Sequence, residues 1–435
     1  MRFSSTNTNT PPVSLSEAVN RCVAEDGGMF MPENLPQIPR AFFNNISEMS
    51  LRDIAFVVAT NFLGNDVDSV ALKSIVDESF AFGAPLRRIA GSNYVLELFN
   101  GPTLTFKDYG ARFMARLMRY LDARNKSTRN VLVATTGNTG AVAANGFYRM
   151  PGVNVTVLYP KGKLSRSQTS QITALGENIH ALEIIGSIED CKRLVRQAIG
   201  DPSLSQYRLT GANSINIARL IPQVTFALYA YSRLSAMSVE NADKALYIMP
   251  TGNMSNVVAA VMAKMSGCPM GKVVAAVGAN NQVAPMMHPH EGTFRQTPLR
   301  TLARAIDMST PSGWPRLRYL FKDRPDELEG CVDAPAPVCD EDIAATVLKL
   351  YNEYGYNIDT HGAVAYATAE RYDDSVPKVI FATGHPAKQI DIITKITGRT
   401  IELPVQLTRF MSVRRPATIL APTIPALRKY LSTLQ

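Results

Sequence analysis

Two stretches of the chain are built alike, and they constrain its fold more than anything else in it. In the first, the apolar run Val131 to Ala134 leads through Thr135-Thr136-Gly137-Asn138-Thr139-Gly140 into the small residues Ala141 to Ala144. In the second, Leu246 to Met249 leads through Pro250-Thr251-Gly252-Asn253-Met254-Ser255 into Asn256 to Ala260. Each reads as strand, tight loop and helix. Further strand-like runs at Val153–Tyr159, His180–Ile185, Val273–Val277 and Lys378–Ala382 alternate with helix-like runs at Ser165–Leu175, Glu189–Ile199 and Ala387–Ile396. Such alternation predicts right-handed βαβ units and parallel sheets, an α/β class. In both loops, amide groups at a helix N-terminus can converge on an anion. Neither loop ends in the Gly-Lys-Ser/Thr of a P-loop, and neither matches Gly-x-Gly-x-x-Gly. Two ordinary βα turns remain the competing reading, since Gly and Asn are common in turns.

A third stretch carries a candidate nucleophile. Gly101-Pro102 ends the strand-like run Tyr94 to Phe99. Beyond it, Phe106, Phe113, Leu117 and Tyr120 recur at helical spacing, with a helix expected over Tyr109–Leu121. Lys107 then lies at a helix start, where a cation faces the positive end of the dipole. Apolar neighbours add a second pressure toward the neutral amine that Schiff-base chemistry needs. An ordinary solvated lysine is the alternative.

The rest of the chain is less specific. Up to about Arg88 it reads as helices, at Leu15–Val23, Leu51–Phe62 and Val67–Phe82, with a turn at Gly27-Gly28. Ile215 to Leu234 reads as one apolar helix that Pro222 should kink or restart. The Pro-rich, charged segment Asp323 to Asp340 reads as a surface connection, and a short helix is expected over Ile424–Leu434. At 435 residues there is chain enough for two or three domains. The net charge of +8 is spread out rather than blocked, which suits small anions and gives no reason to expect a nucleic-acid partner. Five cysteines lie far apart with no Cys-x-x-Cys, so a reducing compartment is expected. No stretch is long enough to span a bilayer, and the polar start has no apolar signal segment; a cytoplasmic protein is the expectation. His288-Pro289-His290 has no third ligand nearby, so no metal is expected there.

Taken together, the three stretches resemble threonine synthase, a pyridoxal-phosphate enzyme of the tryptophan-synthase-β fold type. Segments at Val157–Ser165, Ala212–Arg219, Ala305–Arg316, Thr360–Tyr366 and Ala382–Lys388 also resemble that family, in its order. The resemblance covers nearly the whole chain. It implies a helical N-terminal domain (1–92) and two parallel-sheet α/β domains with the cofactor between them. The first (93–213) would carry Lys107 and the Asn138 loop; the second (214–400) would carry the phosphate cup, with a tail at 401–435.

The resemblance also implies roles. Lys107 would be the amine for the cofactor's aldehyde. Gly252, Asn253, Met254, Ser255 and Asn256 would cup its phosphate, and Thr383 would face the ring nitrogen. Asn138 would lie beside the ring hydroxyl, and the loop amides of Thr136, Gly137 and Thr139 would hold the substrate carboxylate. Lys163, Ser165, Asn213 and Arg219 are candidates for the phosphate of O-phosphohomoserine, with Lys163 and Arg219 as solvated surface charges the alternative. His361 and His385 read as packing or hydrogen-bonding residues near the site. The expected partner is a small anionic amino acid, and the expected assembly a monomer or homodimer. Several positions depart from the family: Met254 and Ser255 for its usual Phe and Gly, Thr136 with Asn138, and Gly384 with Gln389. If the family Gly has positive φ, Ser255 carries strain; alternatively its hydroxyl adds a phosphate contact. These departures keep open a related phospho-lyase acting on another phosphorylated or phosphonate amino acid. A non-catalytic ligand-binding relative is the third reading.

Overall fold

The computed structural model describes residues 1–123, 128–164, 166–287, 297–322, 324–413 and 415–434. Two sheets organise them. The larger has six strands, in the order Val332–Asp333, Val273–Ala276, Leu246–Pro250, Lys378–Ala382, Asn93–Glu97 and Leu86–Ala90. All neighbours run parallel except the last pair, an antiparallel hairpin. The smaller has five parallel strands, in the order Thr418–Leu420, Ile179–Ile184, Val153–Pro160, Arg129–Ala134 and Leu209–Gly211.

Central strands such as Val131-Leu132-Val133 and Ile380-Phe381-Ala382 are buried throughout, as parallel strands covered on both faces must be. Alternate residues serve opposite faces. Val95, Ile248 and Ile380 pack under the helices Asp340–Tyr354 and Thr360–Ala369, against Val347, Leu350 and Val364. Leu96, Tyr247, Val379 and Phe381 face the main core, which they share with the N-terminal helices and with Phe113 and Leu117 of helix Lys107–Leu121.

The strand pairing crosses all three expected boundaries, the first through the hairpin of Leu86–Ala90 with Asn93–Glu97. Asn93–Glu97, which leads to Lys107, pairs with Lys378–Ala382 in the larger sheet, not with the strand before the Asn138 loop. The segment 93–213 therefore serves both sheets. The tail past 401 supplies the edge strand Thr418–Leu420, and Leu427 and Leu431 of helix Ile424–Leu431 complete the smaller sheet's core.

Helices Leu15–Arg21 and Leu51–Leu63 start on capping boxes, Ser14 with Glu17 and Ser50 with Asp53. The N-terminal part also contains an antiparallel pair, Phe3–Ser5 with Phe30–Pro32, that helical periodicity did not foreshadow. Gly28 is required at its turn, because a Cβ there would lie 2.0 Å from Ser5 Oγ. Pro222 acts as expected: helix Ile217–Leu220 gives way to a 3-10 turn, and a new helix runs over Val224–Ala236. Asp323 to Asp340 is more than a connection. Pro325 opens helix Pro325–Cys331, where its missing N–H costs nothing, and Val332–Asp333 forms the sheet edge. None of the described helices is long and apolar enough to cross a membrane. The His288–His290 pair lies outside the described residues.

Candidate active site

Lys107 is the first residue of helix Lys107–Leu121. The turn before it is pinned to the end of strand Lys378–Ala382: Leu98 N donates to Ala382 O at 3.0 Å, Phe106 N to Thr383 O at 3.0 Å and His385 N to Leu104 O at 3.1 Å. Lys107 thus stands beside Thr383 although the two lie far apart in sequence. Burial pushes its amine down to about 8, and the nearby Arg219 guanidinium pushes the same way. At neutral pH an appreciable fraction is neutral, unlike an ordinary lysine.

Charge around Lys107 is unbalanced. Arg219 is buried, so it is not a surface charge; its Nη1 donates to Ala212 O at 3.0 Å. Asp108 is buried as well, receiving Thr103 N at 2.8 Å and Thr103 Oγ1 at 2.6 Å. Burial raises its carboxyl despite those bonds. A second amine, Lys388, joins the cluster. Its Nζ donates to Thr103 O at 2.7 Å and to Gln171 Oε1 at 3.3 Å, and burial brings it to about 8. Three cations thus surround one carboxylate in a desolvated space, an arrangement suited to anions. Lys388 was not singled out in the sequence, and a lone lysine in a loop carries no local signature.

The second strand–loop–helix unit is tightly braced. Thr251 Oγ1 accepts from Met254 N at 3.1 Å and donates to Asn256 Oδ1 at 2.8 Å. Asn253 Oδ1 accepts from Ser255 N at 3.0 Å, and Asn253 Nδ2 donates to Ser214 Oγ at 3.3 Å. Gly313 N donates to Asn253 O at 2.7 Å from outside the loop. A Cβ on Gly252 would lie 2.4 Å from Ile306 O, so only glycine fits. The strain expected at Ser255 falls one residue earlier: Met254, with φ 63°, is the left-handed residue, and Ser255 begins helix Ser255–Met265. Ser255 Oγ is buried, and no hydrogen-bond partner meets it among the described residues. A buried, unpartnered hydroxyl at a helix N-terminus fits the cofactor phosphate that such a loop would hold.

The first unit is looser. Thr135 Oγ1 accepts from both Gly137 N and Gly140 N at 2.9 Å, so those two amides are already engaged. Thr136 is exposed; Asn138 and Thr139 are half-buried. Gly137 has φ 142°, and a Cβ there would lie 2.5 Å from Gln168 Nε2. The helices Asn138–Phe147 and Lys107–Leu121 pack together where Gly146 lies against Ala111, at the end of the former helix away from this loop. A small cavity has Phe106, Asn256 and Thr383 in its wall, so the turn before Lys107, the cup and the last strand end meet there.

Not every candidate joins them. Lys163 is exposed on a turn, its N–H donating to Pro160 O at 3.2 Å, and Ser165 lies outside the described residues. Asn213 is half-buried in the loop next to Ser214, and so next to the cup. Arg316, fully buried and overlooked in the sequence, donates to Ile215 O at 2.5 Å and Phe30 O at 3.3 Å, tying that loop to the N-terminal strand. His361 and His385 serve as packing and hydrogen-bonding residues. His361 Nε2 accepts from Ala305 N, so Nδ1 carries the proton facing Asp359 at 2.5 Å. His385 caps the following turn and stands edge-on to Phe99. Two departures have structural roles: Gln389 Oε1 accepts from Thr360 N and Oγ1, and Gly384 leaves room for Asp359.

Lysine, cup and flanking sheets define a pyridoxal-phosphate enzyme. The model of the pyridoxal-phosphate-dependent enzyme family matches residues 84–383, and that of the threonine synthase N terminus matches residues 2–80. The threonine synthase of Haemophilus influenzae is 34% identical over 399 residues, 91% of each chain, and that of Escherichia coli is 33% identical over 416 residues, 95% of this chain and 94% of its own. The crystal structure of the E. coli enzyme superposes with a TM-score of 0.89 at 32% identity, covering both chains fully. That of the pyridoxal-phosphate-bound threonine synthase of Brucella melitensis does so at 0.92 and 27%, covering 100% of this chain and 99% of its own. The chain belongs to the threonine synthase family.

Proposed function

We propose that this protein converts O-phospho-L-homoserine and water to L-threonine and phosphate, as a carbon–oxygen lyase dependent on pyridoxal phosphate. What carries the reading is a depressed lysine amine beside Thr383 and a braced anion cup, in a chain that matches threonine synthases almost end to end. Pyridoxal phosphate, when bound, supplies the electron sink that makes the substrate's α- and β-protons removable. Lys107 takes the α-proton and then a β-proton; after phosphate has left the γ-carbon, a proton is delivered to the γ-carbon, water adds at the β-carbon, and a proton returns to the α-carbon. Gly252 to Asn256 hold the cofactor phosphate, with Ser255 Oγ as an added donor. Thr383 gives the ring nitrogen a neutral partner, and Asn138 faces the ring hydroxyl. In the carboxylate loop the amides of Thr136, Asn138 and Thr139 are the available ones, since Thr135 occupies those of Gly137 and Gly140. Asn213 and Arg219 shape the substrate-phosphate end, Arg219 through its charge. The five unpaired cysteines support a reducing cytoplasm. The reading includes a small anionic amino acid as substrate, no nucleic-acid or membrane partner, and a monomer or homodimer.

The test is product analysis on the cofactor-loaded protein with O-phosphohomoserine. Threonine should appear in step with phosphate; phosphate accompanied by 2-oxobutanoate and ammonia would instead mark an eliminating enzyme. A pH series adds a second check. Only the neutral amine attacks an aldehyde, so the rate at which cofactor-free protein takes up pyridoxal phosphate should rise with pH and reach half its plateau near pH 8. A midpoint near 10.5, that of an ordinary lysine, would contradict the assignment of Lys107.

A further inference from the structure

Gln223 is unexplained by the roles above. It sits in the 3-10 turn at Pro222, between helices Ile217–Leu220 and Val224–Ala236. Its Nε2 donates to Arg219 O at 2.9 Å, which leaves Oε1 as the free end of the amide. That oxygen is buried, and no hydrogen-bond partner meets it among the described residues. Gln223 also lines the small cavity that reaches Asn256 and Thr383. The other side chains of the wall are apolar, Phe106, Phe226 and Phe381 among them, so among the described residues only Gln223, Asn256 and Thr383 bring polar side chains to it. Its volume is about 10 Å³. That is too small for a pyridine ring and about the size that admits one water. A buried amide oxygen without a donor costs free energy, and a water at this point recovers it.

The protons of such a water have fixed places. Gln223 Oε1 can only accept, so it takes one. Asn256 Oδ1 already accepts from Thr251 Oγ1 at 2.8 Å, and Asn256 Nδ2 donates to Pro250 O at 3.1 Å, so what Asn256 offers the cavity is its second N–H. The water's other proton is then left for the hydroxyl oxygen of Thr383. A hydroxyl that accepts from inside the cavity turns its own proton outward. We propose that Gln223 is a positioning residue: through one buried water it holds the Thr383 hydroxyl as a donor toward the cofactor's ring nitrogen. A threonine hydroxyl free to rotate can equally accept from a protonated ring. Gln223 removes that choice, so the ring stays neutral and its pull on the substrate's electrons stays moderate. This rests on the reading of Thr383 as the ring nitrogen's partner and deepens it, since the neutral partner becomes an oriented one.

The test uses pyridoxal phosphate isotope-labelled at its ring nitrogen, bound to the protein and read by NMR, whose signal reports the hydrogen bond to that nitrogen. Thr383→Val removes the hydroxyl and should move the signal toward that of an unbonded pyridine. Gln223→Met should move it in the same direction but less far, and weaken cofactor binding about fivefold. In the double variant the signal should sit where Thr383→Val alone puts it, because Gln223 acts through that hydroxyl. Gln223→Glu keeps an oxygen for the cavity and should hold the signal at its wild-type position. A Gln223→Met signal at the wild-type position, or a displacement by Gln223→Met that persists in full on top of Thr383→Val, overturns the proposal. So does a Gln223→Glu signal displaced as far as that of Gln223→Met, since the lost bond to Arg219 O would then be the cause. A Thr383→Val signal unmoved from wild type overturns the reading of Thr383 itself, and the proposal with it. If Gln223→Met does not fold, a crystal structure of the cofactor-loaded wild type decides. A water within hydrogen-bond reach of both Gln223 Oε1 and Thr383 Oγ1 supports the proposal, and a dry cavity overturns it.

Discussion

The two glycine-rich loops start from the same device and end differently. Each follows a strand with a threonine whose hydroxyl turns back to accept loop amides, Thr135 in one and Thr251 in the other. The Thr251 loop is then braced by Asn253, Ser214 and Gly313, and Met254 is locked into a left-handed conformation inside the core. In the Thr135 loop the threonine hydroxyl holds Gly137 and Gly140, and Gln168 lies against Gly137. Its left-handed position is an unstrained glycine, and Thr136 faces solvent. One sequence grammar thus yields a rigid cup, suited to a group that stays bound through every turnover, and a yielding loop, suited to a substrate that must enter and leave. Rigidity here comes from contacts reaching in from distant segments.

The contrast can be broken most forcefully at Gly252. Its Cβ would collide with backbone at Ile306, which cannot give way as a side chain could. Gly252→Ala should cost about 3 kcal/mol, read as a loss of cofactor affinity of roughly a hundredfold or more by titration; affinity within threefold of wild type would mean the cup is not rigid. Met254→Gly comes next. Relief of left-handed strain is worth about 1–2 kcal/mol, but emptying a fully buried methionine site costs about 2–5. The net should be destabilisation by about 2 kcal/mol, visible in denaturant unfolding; a more stable protein would show that strain dominates. Thr135→Val keeps shape and removes the acceptor of two amides. Substrate affinity should fall about tenfold while cofactor affinity stays within twofold; a larger cofactor effect would erase the division of labour between the loops. Ser255→Ala is smallest and changes sign with the ligand. Removing an unpartnered hydroxyl should leave the cofactor-free protein as stable or about 1 kcal/mol more so, yet weaken the cofactor severalfold. Unchanged cofactor affinity would exclude Ser255 from the phosphate contact.

Much of this was legible in the chain because the signals are local. Lys107 at a helix start, both loops, Pro222 as a break and the alternation that makes parallel sheets all follow from neighbours a few residues apart. What escaped notice depends on partners hundreds of residues away. Lys388 looks like any lysine until Thr103 and Gln171 are placed against it, and Arg316 like any arginine until Ile215 and Phe30 enclose it. Asn93–Glu97 was assigned with its sequence neighbours, but register across a parallel sheet is decided by the whole topology. Thr418–Leu420 is three residues long and largely exposed, too short for any period to reveal. The strain misplaced at Ser255 shows the same limit at short range: which residue of a turn goes left-handed depends on the turn's bonds, and Thr251 and Asn253 put it on Met254.

The pairing of Asn93–Glu97 with Lys378–Ala382 has a consequence for the order of events during synthesis. The strand that presents Lys107 leaves the ribosome early, but its parallel neighbour leaves late, and the edge strand of the smaller sheet later still. Contacts of such long sequence separation close slowly and only after both ends exist. A nascent chain can form the N-terminal helices and part of the Val131 sheet, yet its lysine has no strand end to stand against and its cup no sheet to complete. Cofactor capture is therefore a late, near-final step of folding, and it reports that the whole chain has been made.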